Sequence, residues 1–327
     1  MLQKNNIILF CLLLICVACK KDRGVSVQYD VLKIDENINI HKVIFLNDSV
    51  GFACGGKQFE YGAIFKTTDK GNSWKKVYSD FTRSIYDLYF INDNNGFAGG
   101  DSILLLTTDN KGESWQSFWF NHIPRDKPQR TAFKNFFRIN DHEFYIVGGQ
   151  NFNAGLVFKT TNAGNNWGFN IFENELKGIY FIDSINGYVS GNGVIYKTTD
   201  AGQTYQLCNI KGDFFTSVHF NDKNNGIAVG YDGGIYLTSD AGDNWKTIVQ
   251  PNKVFEKRVH FNDMKFEDND RGYAAGTNGL LMYTDDGGSN WKLIEKFCDD
   301  NFLSITITRP GELMITSGKG KIYKVFF

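Results

Sequence analysis

Acidic side chains recur at one fixed place in six copies of an eight-residue motif. Each octet begins with Thr, carries Asp or Asn at its third position and Gly at its fifth, and ends in an aromatic residue. A repeated carboxylate could serve as a general base, but two copies carry an amide, which cannot take up a proton in that role. We therefore predict that the octets are structural. Their third, fifth and eighth positions are Asp69, Gly71 and Trp74; Asn110, Gly112 and Trp115; Asn162, Gly164 and Trp167; Asp200, Gly202 and Tyr205; Asp240, Gly242 and Trp245; and Asp286, Gly288 and Trp291.

Each octet has the composition of a tight hairpin turn. Thr hydroxyls and Asp or Asn side chains hydrogen-bond backbone N–H groups a few residues further on, which closes a turn. Gly accepts the positive φ that such turns require. The terminal ring is then available to pack on a neighbouring strand.

Other arrangements of reactive side chains are missing from the sequence. The five histidines show no metal-ligand spacing, and there is no G-x-S-x-G elbow, phosphate-binding Gly loop or C-x-x-C pair. Cys54, Cys208 and Cys298 match neither a disulfide framework nor a zinc site. No helical period is long enough for a βαβ nicotinamide-binding unit. We predict no catalytic residue, no metal and no cofactor.

The composition excludes several classes of protein. Thirty-five basic and 36 acidic residues give a net charge of −1, so no overall field attracts nucleic acid. Aromatic residues make up 15% of the chain, with 34 Gly and only 4 Pro. These values exclude collagen, coiled coils and long disordered chains and favour a turn-rich β protein.

The N-terminus has the features of a targeting segment. Twelve uncharged residues, 7–18, are too few to span a membrane and match a signal-peptide core. The string Val17-Ala18-Cys19 resembles a bacterial lipobox, which implies cleavage before Cys19 and a lipid on its sulfur. We therefore predict a lipoprotein signal peptide at 1–18, a lipidated tether at 19–24 and anchoring in the cell envelope. Because Lys20 follows the cysteine, the outer membrane is favoured; an ordinary signal peptide with an incidental cysteine is the alternative.

Four strand-like segments surround each octet. A second motif with Gly at its fifth position, such as GYVSGN (187–192), precedes each octet, and apolar segments flank both motifs. The unit reads as strand, polar turn, strand, Gly, strand, octet and strand over about 40 residues, which is one blade of a β-propeller. A seventh set begins at 303–318 and 321–327 but has no octet and no fourth strand. We predict that 25–34 supplies that strand, which closes an all-β, seven-bladed propeller of four-stranded antiparallel blades over residues 25–327.

The octets match the Asp-box, or BNR, pattern Ser/Thr-x-Asp-x-Gly-x-x-Trp. With the GNGVIYKTTDAG string (191–202), the repeat resembles the photosystem II stability/assembly factor-like family of seven-bladed propellers over residues 25–327. The resemblance implies the fold. It leaves function open, because propellers with such hairpins include assembly factors, sialidases, receptors and surface binding proteins.

Two functions remain open at this point. One is a membrane-tethered, non-catalytic and monomeric binding or assembly module. The other is a sialidase-like or other glycoside hydrolase. Resemblance to sialidases implies an active site with an arginine cluster that binds a carboxylate, a Tyr–Glu nucleophile pair and an Asp acid. The nearest string to the sialidase landmark Phe-Arg-x-Pro is Phe137-Arg138-Ile139-Asn140, which lacks Pro and lies in the third blade rather than the first.

Two long loops carry the predicted partner-binding residues, on the face opposite the octets. Long loops on a rigid scaffold commonly hold the functional residues. Aromatic rings there could anchor a partner, and cations could attract carboxylates. We therefore predict a protein or acidic glycan partner and no nucleic acid. The residues are Trp119, Phe120, Arg125, Lys127 and Arg130 in the first loop, and Phe255, Lys257 and Arg258 in the second.

Overall fold

Seven antiparallel sheets of four strands each form a β-propeller, as predicted from the octet repeat. The computed structural model describes residues 24–34, 38–118, 120, 131–251 and 258–327. This part of the chain contains one short 3₁₀ turn, Thr277–Gly279, and no helix that could span a bilayer. The predicted signal peptide, Cys19 and the tether up to residue 23 lie outside the described residues.

In six of the blades the strands follow one another in chain order, from the axis of the ring outward. Blades 1 and 2 contain β2 (Asn39–Phe45), β3 (Gly51–Lys57), β4 (Tyr61–Thr67), β5 (Lys75–Asp80), β6 (Ile85–Phe90), β7 (Gly96–Gly100), β8 (Leu104–Thr108) and β9 (Gln116–Phe118). Blades 3 and 4 contain β10 (Ala132–Arg138), β11 (Phe144–Gln150), β12 (Ala154–Thr160), β13 (Gly168–Phe172), β14 (Leu176–Phe181), β15 (Gly187–Gly191), β16 (Val194–Thr198) and β17 (Gln206–Leu207). Blades 5 and 6 contain β18 (Phe215–Phe220), β19 (Gly226–Gly230), β20 (Ile235–Thr238), β21 (Lys246–Val249), β22 (Phe261–Phe266), β23 (Arg271–Gly276), β24 (Leu281–Asp285) and β25 (Lys292–Leu293).

The last blade joins the two ends of the chain. It contains β26 (Phe302–Arg309), β27 (Glu312–Ser317), β28 (Lys321–Phe326) and, on its outside, β1 (Gln28–Lys33). β1 pairs antiparallel with β28, from Gln28 opposite Phe326 to Lys33 opposite Lys321. This pairing confirms the predicted closure, because β1 covers the edge of β28 that would otherwise be unpaired.

The hydrophobic core lies between neighbouring blades. Phe52 of blade 1 stacks on Phe90 of blade 2 at 4.5 Å between ring centroids, and Trp115 meets Phe90 edge-on. Cys54 and Cys208 are free thiols buried in the same kind of layer. Every blade therefore depends on both neighbours to cover its apolar faces.

The octets form hairpins between the third and fourth strands, on one face of the ring that we call the octet face. In all six copies the Thr hydroxyl accepts the Gly N–H at 2.9–3.1 Å. The third side chain accepts the N–H of the seventh residue at 2.8–3.1 Å. The amides of Asn110 and Asn162 make this bond as the carboxylates do, which is the geometry expected of a turn cap rather than a base.

A second feature of the octet hairpin was not anticipated from the sequence. The fourth residue also has a positive φ, 57–66° in the five copies where it is not Gly. Its N–H donates to a carbonyl in the turn between the first two strands, for example Ala201 to Ile185 at 2.9 Å. The hairpin thus stabilises the neighbouring turn as well as its own.

Removal of one octet hydroxyl tests its structural role. Thr284 is fully buried, accepts the N–H of Gly288 at 3.0 Å and donates to Asp286 at 2.8 Å. Thr284→Val keeps the shape but leaves that N–H without an acceptor, so we expect the free energy of unfolding in urea to fall by about 1–3 kcal/mol. Thr284→Ser keeps the hydroxyl and is the matched control. An unchanged free energy of unfolding in Thr284→Val, or a larger loss in Thr284→Ser than in Thr284→Val, would contradict the structural role of the hydroxyl.

Candidate functional site

A cavity of about 310 Å³ lies on the axis of the ring, surrounded by the first strands of the blades. It opens on the face opposite the octets, which we call the mouth face, where the loops joining second to third strands and successive blades lie. Most of its lining comes from residues near the start of each first strand. The lining residues are His41, Lys42, Tyr86, Asp87, Lys134, Asn135, Glu175, Lys177, Phe214, Thr216, Tyr231, Asn262, Asp263, Lys265, Leu303 and Ser304.

A β-bulge in the first strand of every blade aims these side chains at the axis. The residue before the bulge is fully buried in all seven blades; Ile40, Ile85 and Phe133 are examples. The extra residue then interrupts the in–out alternation of side chains along the strand, so the side chain of the bulge residue faces the cavity. The seven bulge residues are His41, Tyr86, Lys134, Lys177, Thr216, Asn262 and Leu303. All seven line the cavity.

Glycine in the second strand makes room for the bulge. Gly191 lies opposite Leu176, and Gly276 lies opposite Phe261. A Cβ at either glycine would stand 1.9 Å from the carbonyl oxygen of the residue just before the first strand, Glu175 or His260, a distance that no side chain can adopt. The glycine at the fifth position of the second sequence motif is therefore required by this close approach.

Two buried carboxylates in the cavity lining, Asp87 and Asp263, connect neighbouring blades. Asp87 accepts the N–H of Phe136 in the next blade at 2.8 Å. Asp263 of blade 6 accepts the N–H of Ile305 in blade 7 at 2.9 Å. Burial raises the pKa of Asp87 despite the attraction of Lys42. These bonds occupy both carboxylates with structural contacts.

The charges in the cavity are strongly affected by burial. Burial and the neighbouring Lys134 and Lys177 lower the pKa of His41 to about 3, so its imidazole is neutral at pH 7. Burial also lowers the pKa of Lys177 to about 8, against the attraction of Asp263. Perturbed titrations of this kind concentrate at functional sites, although structural networks cause them too.

Exposed aromatic rings lie on the same face as the mouth of the cavity, and one of them, Tyr231, also lines the cavity. Phe59, Phe81, Phe152 and Tyr231 lie in mouth-face loops and form what we call the aromatic rim; Phe81 is 81% exposed and Phe152 is 62% exposed. Phe59 and Phe152 have positive φ values of 58° and 64°, which are unfavourable for aromatic residues. Each of these two loops is held by a hydrogen bond to a carboxylate in or next to the following blade. Asp101 accepts the N–H of Phe59 at 3.1 Å, and Glu175 accepts the N–H of Phe152 at 2.7 Å.

The structure describes only two of the eight predicted partner-binding residues. The ring of Phe120 packs at 5.0 Å from Phe158 and 6.0 Å from Trp167, so it contributes to the core between strands. Arg258 is exposed on the mouth face and forms an ion pair with Asp232. The other six lie outside the described residues: Trp119, Arg125, Lys127, Arg130, Phe255 and Lys257.

The cavity residues were missed by the sequence analysis, although a signal for them exists. In most first strands, two consecutive residues that are mostly polar stand between two apolar residues, after which apolar and polar residues alternate again. Examples are Ile85-Tyr86-Asp87-Leu88 and Phe261-Asn262-Asp263-Met264. That pair breaks the period of two and marks the bulge. Within the described ranges, no group of three His, Cys, Asp or Glu side chains is placed to hold a metal.

Comparisons with known proteins identify the relatives of the chain. The model of the family described as photosynthesis system II assembly factor YCF48 matches residues 66–212 and 209–325. The chain is similar to the photosystem II assembly lipoprotein Ycf48 of Synechococcus sp. (strain CC9902), with 24% identity over 145 residues, which are 42% of this chain and 41% of that protein. It is 37% identical over 65 residues to the chloroplastic stability/assembly factor HCF136 of Guillardia theta, covering 19% of this chain and 15% of that one. These matches therefore span less than half of either relative.

A solved structure shares the fold over nearly the whole chain. It is described as YCF48 bound to D1 peptide and aligns with a TM-score of 0.72. The alignment covers 93% of this chain and 98% of that one at 17% identity. At that identity the likeness supports the seven-bladed architecture and not a shared binding residue.

The titration of Lys177 should appear in the stability of the protein. The pKa of an unfolded lysine is about 10.4, whereas the pKa of folded Lys177 is about 8. Between these values the unfolded chain binds more protons than the folded one, so rising pH stabilises the wild type. The free energy of unfolding of Lys177→Met minus that of the wild type should therefore fall from pH 7 to pH 10. For Thr284→Val the same difference should be constant; a constant difference for Lys177→Met would contradict the burial of a charged lysine.

Proposed function

The chain belongs to the photosynthesis system II assembly factor family, and from this premise we propose that it is a non-catalytic propeller that holds an extended segment of a client protein at the cavity mouth. The observation that carries the proposal is the combination of exposed aromatic rings and inward-facing polar side chains on one face. Aromatic anchors around a recess are typical of protein-binding surfaces. A structural relative whose description names a bound peptide supports the same reading.

The backbone of the aromatic rim supports a binding role. An aromatic residue with positive φ costs roughly 1–3 kcal/mol when the surrounding structure holds it there. Phe59 and Phe152 both bear this cost and still expose more than half of their surface. Since neither ring gains full burial in return, the conformation contributes to display of the rings rather than to packing.

The two long loops predicted to bind the partner belong to the same face in this proposal. β9 ends and β10 begins at the mouth face, and so do β21 and β22 on either side of the second loop. We propose that Trp119, Arg125, Lys127 and Arg130, with Phe255, Lys257 and Arg258, extend the binding surface around the rim. Their positive charge favours acidic client segments. An acidic glycan is the second ligand class, and the aromatic rim favours a protein over it.

A glycoside hydrolase is the alternative that the geometry favours less. Asp87 and Asp263 each accept a backbone N–H from a neighbouring blade, which leaves them poorly placed as an acid and base pair. Arg138 is the last residue of β10, at the octet-face end of the strand, and pairs with Asp141. In the described residues, all five arginines form ion pairs with carboxylates and none lines the cavity: Arg83, Arg138, Arg258, Arg271 and Arg309.

The propeller is proposed to act while tethered to a membrane through Cys19. The lipobox-like string before Cys19 supports this, and one curated relative is named a lipoprotein. We propose the bacterial cell envelope as its location, with the outer membrane favoured on the identity of Lys20. One lipid group binds a membrane weakly, so two or more acyl chains on the cysteine are needed for stable anchoring.

Opposite substitutions on the two faces test where the client binds. Twelve-residue peptides displayed on phage are selected on immobilised wild-type protein, and the affinity of the best binders is measured by fluorescence anisotropy. Phe81→Glu with Phe152→Glu should weaken binding by about tenfold or more, because both rings lose apolar contact. Ile185→Glu, at a half-exposed site on the octet face, should leave affinity unchanged. Equal losses from both variants, or no loss at the rim, would contradict the assignment of the face.

Replacement of Cys19 tests the tether. Cys19→Ser cannot be lipidated, so the protein should move from the membrane fraction to the supernatant after cell lysis and ultracentrifugation. Cys298→Ser is the matched control and should stay with the membranes. Continued sedimentation of Cys19→Ser would show an uncleaved anchor or a tight membrane partner.

A further inference from the structure

The cavity holds more positive charge than its own carboxylates neutralise. Four lysines line it, two of which have a carboxylate within reach. Lys42 lies 4.0 Å from Asp87, and Lys265 lies 3.6 Å from Asp263. Both carboxylates are also held by backbone N–H groups, so they cannot turn towards other cations.

Lys134 and Lys177 are the two remaining cations. The Lys134 ammonium lies 3.6 Å from the centroid of the Tyr86 ring, and the Tyr86 hydroxyl donates to Asp101 at 3.0 Å. The Lys177 ammonium donates to the Asn262 carbonyl at 3.1 Å. Within the described ranges, neither ammonium has a carboxylate closer than 4 Å.

One carboxylate remains in the lining, and it already has a partner. Glu175 accepts the N–H of Phe152, which holds the aromatic rim in position. With His41 neutral, the four lysines and three carboxylates of the lining itself sum to +1. Asp101, buried behind Tyr86, also attracts Lys134, but its oxygens already accept the Tyr86 hydroxyl and two backbone N–H groups. A monoanion would balance this charge, whereas a phosphate dianion would reverse it.

We infer that Lys134 and Lys177 form a site for one carboxylate group, supplied by the client segment that the proposed function places at the mouth. Two ammonium groups that face a common cavity repel each other and are partly removed from water, which costs stability unless an anion joins them. A carboxylate between them makes charge-assisted hydrogen bonds to both. The inference deepens the proposed function and rests on it for the identity of the partner.

Small probes test the site in the full-length protein without a client. Lysines are labelled with ¹³C at Cε, and the two signals are assigned by their loss in Lys134→Gln and Lys177→Gln. The probes are N-acetylglutamate α-amide, which offers a side-chain carboxylate; N-acetylalanine, which offers a chain-terminal carboxylate; and inorganic phosphate. At least one carboxylate probe should shift both signals, and Lys177→Gln should weaken its binding about tenfold or more. The stronger of the two carboxylate probes identifies the source of the group.

The controls separate this site from general effects and from the proposed function. Lys66→Gln removes a lysine that pairs with Glu113 on the octet side, and it should leave probe affinity unchanged. Lys177→Arg keeps the charge and should retain binding. Unmoved lysine signals, equal affinity in Lys177→Gln, or phosphate binding as tightly as the carboxylates would overturn the inference. Probe binding without any peptide selected by phage display would support this site and count against the proposed function alone.

Discussion

The bulge in the first strand of each blade is the constraint on which the other features of this propeller depend. A regular strand would send alternate residues into the layers between blades and give the axis no ring of adjacent side chains. One extra residue per strand buries the preceding apolar side chain completely and directs the next one at the axis. Bulging brings the first strand against the second, and glycines such as Gly191 and Gly276 make that approach possible.

The two faces of the ring use this scaffold differently. On the octet face, six hairpins repeat the same hydrogen bonds within a few tenths of an ångström. On the mouth face, the side chains that the bulges turn to the axis differ between blades, except that blades 3 and 4 both present a lysine. Exposed aromatic residues with left-handed backbone also lie on this face. Phe59 and Phe152 have left-handed backbone, and Lys177 is a cation in a partly desolvated wall. Features that cost stability persist where they serve a ligand, which connects the cavity and the aromatic rim in one functional surface.

Charge organisation in the cavity separates structure from binding. Asp87 and Asp263 occupy equivalent positions in blades 2 and 6, and each carboxylate bridges to the backbone of the next blade. Their lysine partners neutralise them there. Lys134 and Lys177 have no such structural duty, since one rests on an aromatic ring and the other on a carbonyl. The same lining therefore contains acids that connect blades and lysines that are available to an anion.

The sequence by itself determined the blades, because the hydrogen bonds that the octet's Thr hydroxyl and Asp or Asn side chain make to its backbone fall within eight residues. Thr, Asp or Asn, Gly and Trp specify that turn wherever they occur together, so the period of the motif gave the number of blades. The unpaired strand at residues 25–34 and the incomplete last blade likewise predicted the closure. Only the tertiary structure decided the site. Lys134 and Lys177 lie 43 residues apart in the chain, and nothing local to either one shows that they share a cavity. Their meeting requires all seven blades to close into a ring, because each first strand contributes a bulge residue and none of them alone encloses a space.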